Sequence, residues 1–319
     1  MVAIVVSSTG RSPVYPPLPK PNGYDDFLSA AALINPEVRQ SSSLDREGLR
    51  QLVSSNVEPL RLIRVGLGRH CSIPTEEAVT NFAAISPALL QIRLIVILLA
   101  AEGRLAEIED RLGDAARTDL EAIRFGNEIS RGGLMIHRSM GVGCESFGGI
   151  PLAKLVPKLN CEQARPLIMD LERIDLARVT WDEVLKNEKI FMRYELRQTA
   201  NPINHLASWW IFRGTRKRAA DQHAGAVAHL RLLAVELALR CYQAEQGRAP
   251  AGLQLLVPKY LQRVPLDPFS GQSLVYRTAG TNYLLYSVGA DRIDDGGQPI
   301  GRPIPGTDLR GDLFFDSPW

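Results

Sequence analysis

From Gly23 to about residue 200, apolar residues recur at the spacing of an α-helix, and this pattern limits what that part of the chain can fold into. In the clearest stretch the interval is about 3.6 residues, at Leu105, Ile108, Leu112, Ala116, Leu120 and Ile123. The preceding residues 88–101 contain an unbroken aliphatic run, Leu94–Leu99, which indicates a helix buried on all sides. We therefore expect two antiparallel helices that meet at Gly103, within a body of irregular helical hairpins.

Other segments with helical periodicity are bounded by proline, glycine or capping residues. They predict helices over these ranges: 24–34, 44–54, 57–67, 134–159, 161–177 and 181–198. The small residues between 141 and 149 are typical of positions where two helices pack closely. Residues 23–218 are therefore predicted to form a helical domain.

The pattern changes after residue 218. One further long helix, with Val227 and Leu237 on its apolar face, is expected to end near Gly247. Two short β runs, 274–277 and 283–287, flank a glycine-containing turn and indicate an antiparallel hairpin, with a third short run expected at 313–315. A lone hairpin is marginally stable in water, so we expect the helix to pack on it. The predicted fold class is α+β, with a small α+β module at residues 219–319.

Five short motifs follow one another in this module. They are Tyr242 with Gly247, Arg248 and Pro250; Leu256–Leu261; Val264–Phe269; Tyr286–Asp291; and Asp312 with Leu313. In this order they resemble the globular domain of the major pseudopilins of type II secretion. The helical body takes the place of the single polymerising helix of that family, so filament formation by the usual mechanism is not expected. The whole arrangement is similar to uncharacterised bacterial envelope proteins with a pseudopilin-like tail.

An acidic loop near the C-terminus is the best candidate for a metal site. Its carboxylates are Asp291, Asp294, Asp295 and, from the last β run, Asp312. Calcium takes six to eight oxygen ligands from carboxylates and carbonyls, and the resemblance implies a structural calcium ion in this loop. The alternative is a solvated turn, because Asp-Asp-Gly-Gly is ordinary turn chemistry and Arg292 adds a positive charge nearby.

The sequence contains no complete catalytic motif. Residues 143–148 lack the first glycine of a nucleophile elbow, and no strand is predicted before them. The histidines form no pair at helical spacing, so we expect them at the surface or at helix caps. The four cysteines form no CxxC pair, which argues against a zinc site. A hydrolase-type enzyme with a site in the helical body remains the alternative to a non-enzymatic protein.

Two segments bear on the membrane. Residues 2–6 are apolar but too short to span a bilayer, and indicate either a short strand or the remnant of an N-terminal anchor. The proline-rich residues 11–22 would then act as a stiff spacer, so that 1–22 forms an anchor remnant and spacer. The connector Trp209–Arg218 is either a membrane-surface patch or a segment whose rings pack into the body.

These patterns favour a structural or interaction protein of the bacterial cell envelope that faces the periplasm and is held by a membrane anchor. The expected partners are proteins of the envelope or of a secretion system. A net charge of +2 provides no overall field to attract nucleic acid, so no nucleic-acid partner is expected.

Overall fold

The computed structural model describes residues 15–75, 82–198, 202–279, 282–301 and 310–317, without the side chains of 82–87, 195–214 and 279. Within these residues the chain forms nine α-helices and one two-stranded sheet. The helices are α1 (Gly23–Leu33), α2 (Arg46–Ser55), α3 (Val57–Leu67), α4 (Phe82–Ile108), α5 (Leu112–Glu128), α6 (Met135–Leu155), α7 (Cys161–Leu176), α8 (Trp181–Gln198) and α9 (Pro202–Gln246). The strands are β1 (Val275–Ala279) and β2 (Asn282–Tyr286). The predicted α+β class with a mostly helical body is confirmed.

Local capping explains where several helices begin. Asp45 accepts a hydrogen bond from Gly48 N at 2.8 Å ahead of α2. Before α7, Asn160 Oδ1 accepts from Gln163 N at 2.9 Å, and Gln163 Oε1 accepts from Asn160 N at 3.1 Å. This reciprocal pair satisfies two backbone donors that the first helical turn leaves unpaired.

The expected helix boundary at Gly103 is wrong. Helix α4 continues through Gly103 to Ile108, and the chain reverses at residues 109–111, where Asp110 has a φ of 58°. Gly103 lies against α5 instead, because a Cβ there would come within 2.9 Å of Asp119 Oδ1. The glycine therefore marks a close contact between two helices.

Glycines also bring α5 and α6 together. A Cβ at Gly126 or Gly141 would collide with the backbone of the other helix, and a Cβ at Gly148 would collide with the Asp119 carbonyl oxygen. The prediction that the small residues between 141 and 149 are close-packing points is confirmed for Gly141 and Gly148, while a Cβ at Gly143 would meet nothing within 4 Å. This approach places the polar side chains of α6 deep in the protein.

The buried apolar residues form two main clusters. One lies among α1 to α5 and includes Phe27 and Ile95. The other joins α5, α6 and α7 to α9 and to the C-terminal module, so that Leu167 in the body and Leu285 in β2 belong to the same cluster. The predicted boundary between 218 and 219 falls inside α9, whose 45 residues cross it as one helix.

The sheet is an antiparallel pair in which Val275 lies opposite Tyr286. Of the third predicted β run, Leu313 forms one antiparallel bridge with Ser287. Helix α9 reaches the sheet through Glu236, which accepts a hydrogen bond from the Tyr283 hydroxyl at 2.9 Å. The expected packing of the long helix on a small sheet is therefore present.

In the parts of the chain that the structure describes, no helix has both the length and the apolar character needed to cross a bilayer. The predicted anchor at residues 2–6 lies outside the described residues. In the connector Trp209–Arg218 the backbone is helical, but the side chains of both tryptophans also lie outside them. The two interpretations of the connector stay predictions.

Candidate functional site

The four predicted metal ligands lie in one loop region, but their hydrogen-bond donors differ. Asp312 is fully buried, and its oxygens accept from Gly297 N at 2.7 Å and Asp295 N at 3.4 Å. Asp291 accepts from backbone nitrogens within the loop and at its closing strand. Burial raises the pKa of Asp312, and the two backbone donors partly offset that effect. These carboxylates hold the loop closed.

Asp294 has a cation partner that the sequence did not indicate. Its Oδ1 accepts from the Tyr286 hydroxyl at 2.6 Å, and its Oδ2 accepts from Arg277 of β1 at 2.7 Å. The Tyr286 hydroxyl, a backbone donor and Arg277 together lower the pKa of Asp294. The positive charge beside the loop carboxylates therefore includes Arg277, a residue of the neighbouring strand.

The acidic loop is not arranged as a preformed metal site. Among the described residues, no three or more His, Cys, Asp or Glu side chains are grouped closely enough to hold one ion. Asp312 and Asp294 already accept two or more hydrogen bonds each. Calcium binding stays a prediction.

If the loop binds calcium, millimolar calcium should raise the melting temperature of metal-stripped protein, because a ligand that binds only the folded state stabilises it. Asp291→Ala should abolish the shift, while Asp221→Ala, on α9, should keep it. Asp312→Ala should also abolish it. Both substitutions also remove hydrogen bonds that these carboxylates accept from backbone nitrogens of the loop, so both should lower stability without metal. Calorimetry that detects no heat, together with an unchanged melting temperature, would identify the loop as a plain turn.

A cluster of charged side chains lies in the interior between α6, the α7–α8 connector and α9. Arg138 and Arg178 both donate to Glu145 Oε1, at 2.6 and 3.0 Å, and Arg178 also donates to Glu145 Oε2 at 2.8 Å. Arg138 Nε donates to His223 Nδ1 at 2.9 Å, and its Nη1 to Ser130 Oγ at 3.3 Å. The exposed fraction of each of these residues is 8% or less. Two guanidinium groups thus share one carboxylate away from solvent.

The net charge of this cluster depends on the protonation states of His223 and Glu145. Burial, and to a lesser extent the two neighbouring guanidinium groups, lower the pKa of His223 to about 3. The ring is therefore neutral at pH 7. Burial alone would raise the pKa of Glu145, but Arg138 and Arg178 outweigh it and hold that pKa below its usual value. Two positive charges therefore face one negative charge.

A groove of about 250 Å³ lies where the helical body meets the C-terminal module. Its lining comes from α7 (Leu171, Glu172, Asp175, Leu176), α9 (Leu230, Arg231, Ala234) and the following loop (Leu261, Gln262, Arg263, Pro265). The buried side chains of Leu171, Leu230, Ala234 and Leu261 form an aliphatic floor, and the more exposed Glu172, Leu176 and Arg263 form the rim. Arg231 donates to Asp175 at 3.0 Å and to Leu266 O at 2.7 Å, which ties the loop to both helices. Leu176, which belongs to the groove lining, is 58% exposed, and Leu266, which follows the lining residue Pro265, is 52% exposed. The groove is thus a preformed apolar surface.

Within the segment 143–148, Cys144 is not an available nucleophile. Cys144 is 1% exposed, and burial raises the pKa of its thiol to about 12, so it stays protonated at neutral pH. The histidine expectation is correct in part. His137 is buried and caps α6 by accepting from Leu134 N at 3.1 Å. His229 is buried within α9, and His223 neither lies at the surface nor caps a helix. Its burial follows from the approach of α9 to α6.

No protein family, curated protein or solved structure matches this chain. The resemblance to pseudopilins and to envelope proteins stays a prediction carried by the motifs. Two of those motifs are joined by Asp267, which is fully buried and accepts from Phe269 N at 2.8 Å and from Val288 N at 2.9 Å. The motif residues therefore hold the C-terminal module together.

Sequence reasoning missed the charge cluster and the groove. Arg138 and Glu145 lie on α6 and Arg178 lies in the α7–α8 connector, and none of the three positions carries a local sign of burial. The only feature of the sequence that could have indicated this burial is the row of small residues in α6. Small residues allow two helices to approach closely, and polar residues between them are then buried. Glu145 lies within that row, between Gly141 and Gly148.

Proposed function

We propose that this protein is a non-enzymatic structural and interaction protein of the bacterial cell envelope. In this proposal the helical body is a scaffold, the C-terminal module is a docking element, and a protein partner binds in the groove between them. The observation that carries the proposal is the preformed groove itself, with an apolar floor, a charged rim and two exposed leucines beside it. The envelope location and a secretion-type partner are supported by the pseudopilin-like motifs.

The contacts around the groove indicate what kind of partner it accepts. The carboxylate of Glu172 and the guanidinium of Arg263 are the exposed charges of the lining, while Asp175 is 8% exposed and paired with Arg231. The Arg263 side chain is 62% exposed and 4.0 Å from Asp175. An amphipathic segment with one or two aliphatic anchors and flanking charges would fill the floor and meet the rim. Membrane attachment would come from the N-terminal segment or from Trp209–Arg218.

Site-specific photo-crosslinking in the organism that makes the protein tests this proposal. A photoreactive residue at Leu176 or Leu266 should form an adduct with one protein partner, because both side chains border the groove. The same residue at Leu33, which is 57% exposed on α1, provides a control of matched exposure far from it along the chain. Adducts of the same size at Leu33, or no adduct at Leu176 and Leu266, would refute the groove as the binding surface.

A further inference from the structure

The charge cluster leaves polar atoms unsatisfied in the protein interior. Among the described residues, the buried nitrogens with no hydrogen-bond partner include Arg138 Nη2 and both Nε and Nη2 of Arg178. The side chains of Arg138 and Arg178 are 1% and 4% exposed, so solvent does not reach these atoms. Buried polar atoms are almost always paired, and each exception requires an explanation.

The unpaired atoms of Arg178 form a particular edge. Its Nη1 binds Glu145, while the opposite edge, made by Nε–H and Nη2–H, is free. This is the edge of a guanidinium group that pairs with two oxygens of one carboxylate or planar oxyanion. Arg138 adds a further N–H donor, and both arginines bind the same oxygen of Glu145, so their guanidinium groups are neighbours.

The net charge of the cluster, like its unpaired N–H groups, favours a bound anion. Two guanidinium groups oppose one carboxylate, and His223 is neutral, so one positive charge is uncompensated. Arginine does not relieve this by losing a proton at physiological pH. A water molecule could accept hydrogen bonds but would leave the charge uncompensated, and an uncompensated buried charge is strongly unfavourable. A monovalent anion would satisfy both requirements.

We propose that the cluster is an internal binding site for a small monovalent anion with two coplanar oxygens, of the formate, bicarbonate or nitrate type. The anion is held by the Nε and Nη2 edge of Arg178 and by Nη2 of Arg138. Glu145 fixes both guanidinium groups, and His223 holds Arg138 by accepting from its Nε. The site thereby links α6, the α7–α8 connector and α9.

The site is tested by comparing the melting temperature of the protein in formate with that in gluconate at equal ionic strength. Gluconate is the reference because it is too bulky to enter a closed interior. Wild-type protein should show a saturable rise of a few degrees in formate, because the anion binds only the folded state. Chloride, which has no pair of coplanar oxygens to accept both N–H groups, should raise the melting temperature less. Ion chromatography of desalted and then unfolded protein should detect any anion that remains bound through desalting.

Two arginines in the same region provide matched variants. Arg178→Met removes the two-nitrogen edge and the excess charge, and should lose the formate effect. Arg173→Met, which changes a side chain 69% exposed on α7, should keep it. If Arg178→Met does not fold, Arg178→Lys keeps the charge and should bind formate roughly tenfold more weakly, because a charge-assisted hydrogen bond is lost.

The proposal fails if wild-type protein shows neither a formate-specific rise nor any anion released on unfolding. It also fails if Arg178→Met or Arg178→Lys keeps the wild-type response, because the effect would then arise elsewhere on the protein. A rise that is equal in chloride and formate would contradict the assignment of a two-oxygen anion.

Discussion

Glu145→Gln is expected to lower the free energy of unfolding by about 3–5 kcal/mol, the usual cost of leaving a buried charge without its partner. Glu145 is fully buried and accepts from Arg138 and Arg178 at 2.6 to 3.0 Å. Glutamine has nearly the same shape but no negative charge, so the two buried guanidinium groups would lose the carboxylate that they share. Chemical denaturation followed by circular dichroism measures this loss.

An exposed glutamate provides the control for this substitution. Glu58 pairs with Arg61 on the surface of α3, with side chains 55% and 58% exposed. Surface ion pairs contribute little because water screens them, so Glu58→Gln should leave the denaturation midpoint unchanged. If Glu145→Gln were as stable as Glu58→Gln, the interior cluster would not depend on its negative charge.

Leu237→Asp is expected to unfold both the C-terminal module and the helices packed against α9. Leu237 is 1% exposed and belongs to the apolar cluster that joins α5, α6 and α7 to the module. A carboxylate there would be buried without a partner, which costs several kcal/mol. The milder Leu237→Ala should cost about 2–5 kcal/mol, the range typical of a buried leucine.

Because one apolar cluster joins the helical body to the module, Leu237→Ala should affect hydrogen exchange in both. In Leu237→Ala, the amides of α7 in the body and those of β2 in the module should lose protection by the same factor, because both pack on one cluster. Leu255→Ala, at a side chain 51% exposed, should change neither. Loss of protection in β2 alone would mean that the module opens independently of the helical body.

The Asp loop illustrates how far the motifs could carry a prediction. The sequence identified the four carboxylates and the module that contains them. It did not show that Asp312 would accept backbone N–H groups, or that Arg277 would pair with Asp294, because those contacts depend on how the strands pair. Residues 277 and 294 are 17 positions apart, beyond the reach of any turn rule.

The sequence by itself determined the helical body, the order of the helices and the hairpin, because each follows from interactions within a few residues. The tertiary structure decided that Gly103 is a packing contact and not a turn, since only the approach of α5 makes a side chain impossible there. It also decided the charge cluster, in which Arg138 and His223 meet across 85 positions. Burial and unpaired charge arise from the packing of separate helices, and periodicity along one helix does not encode them.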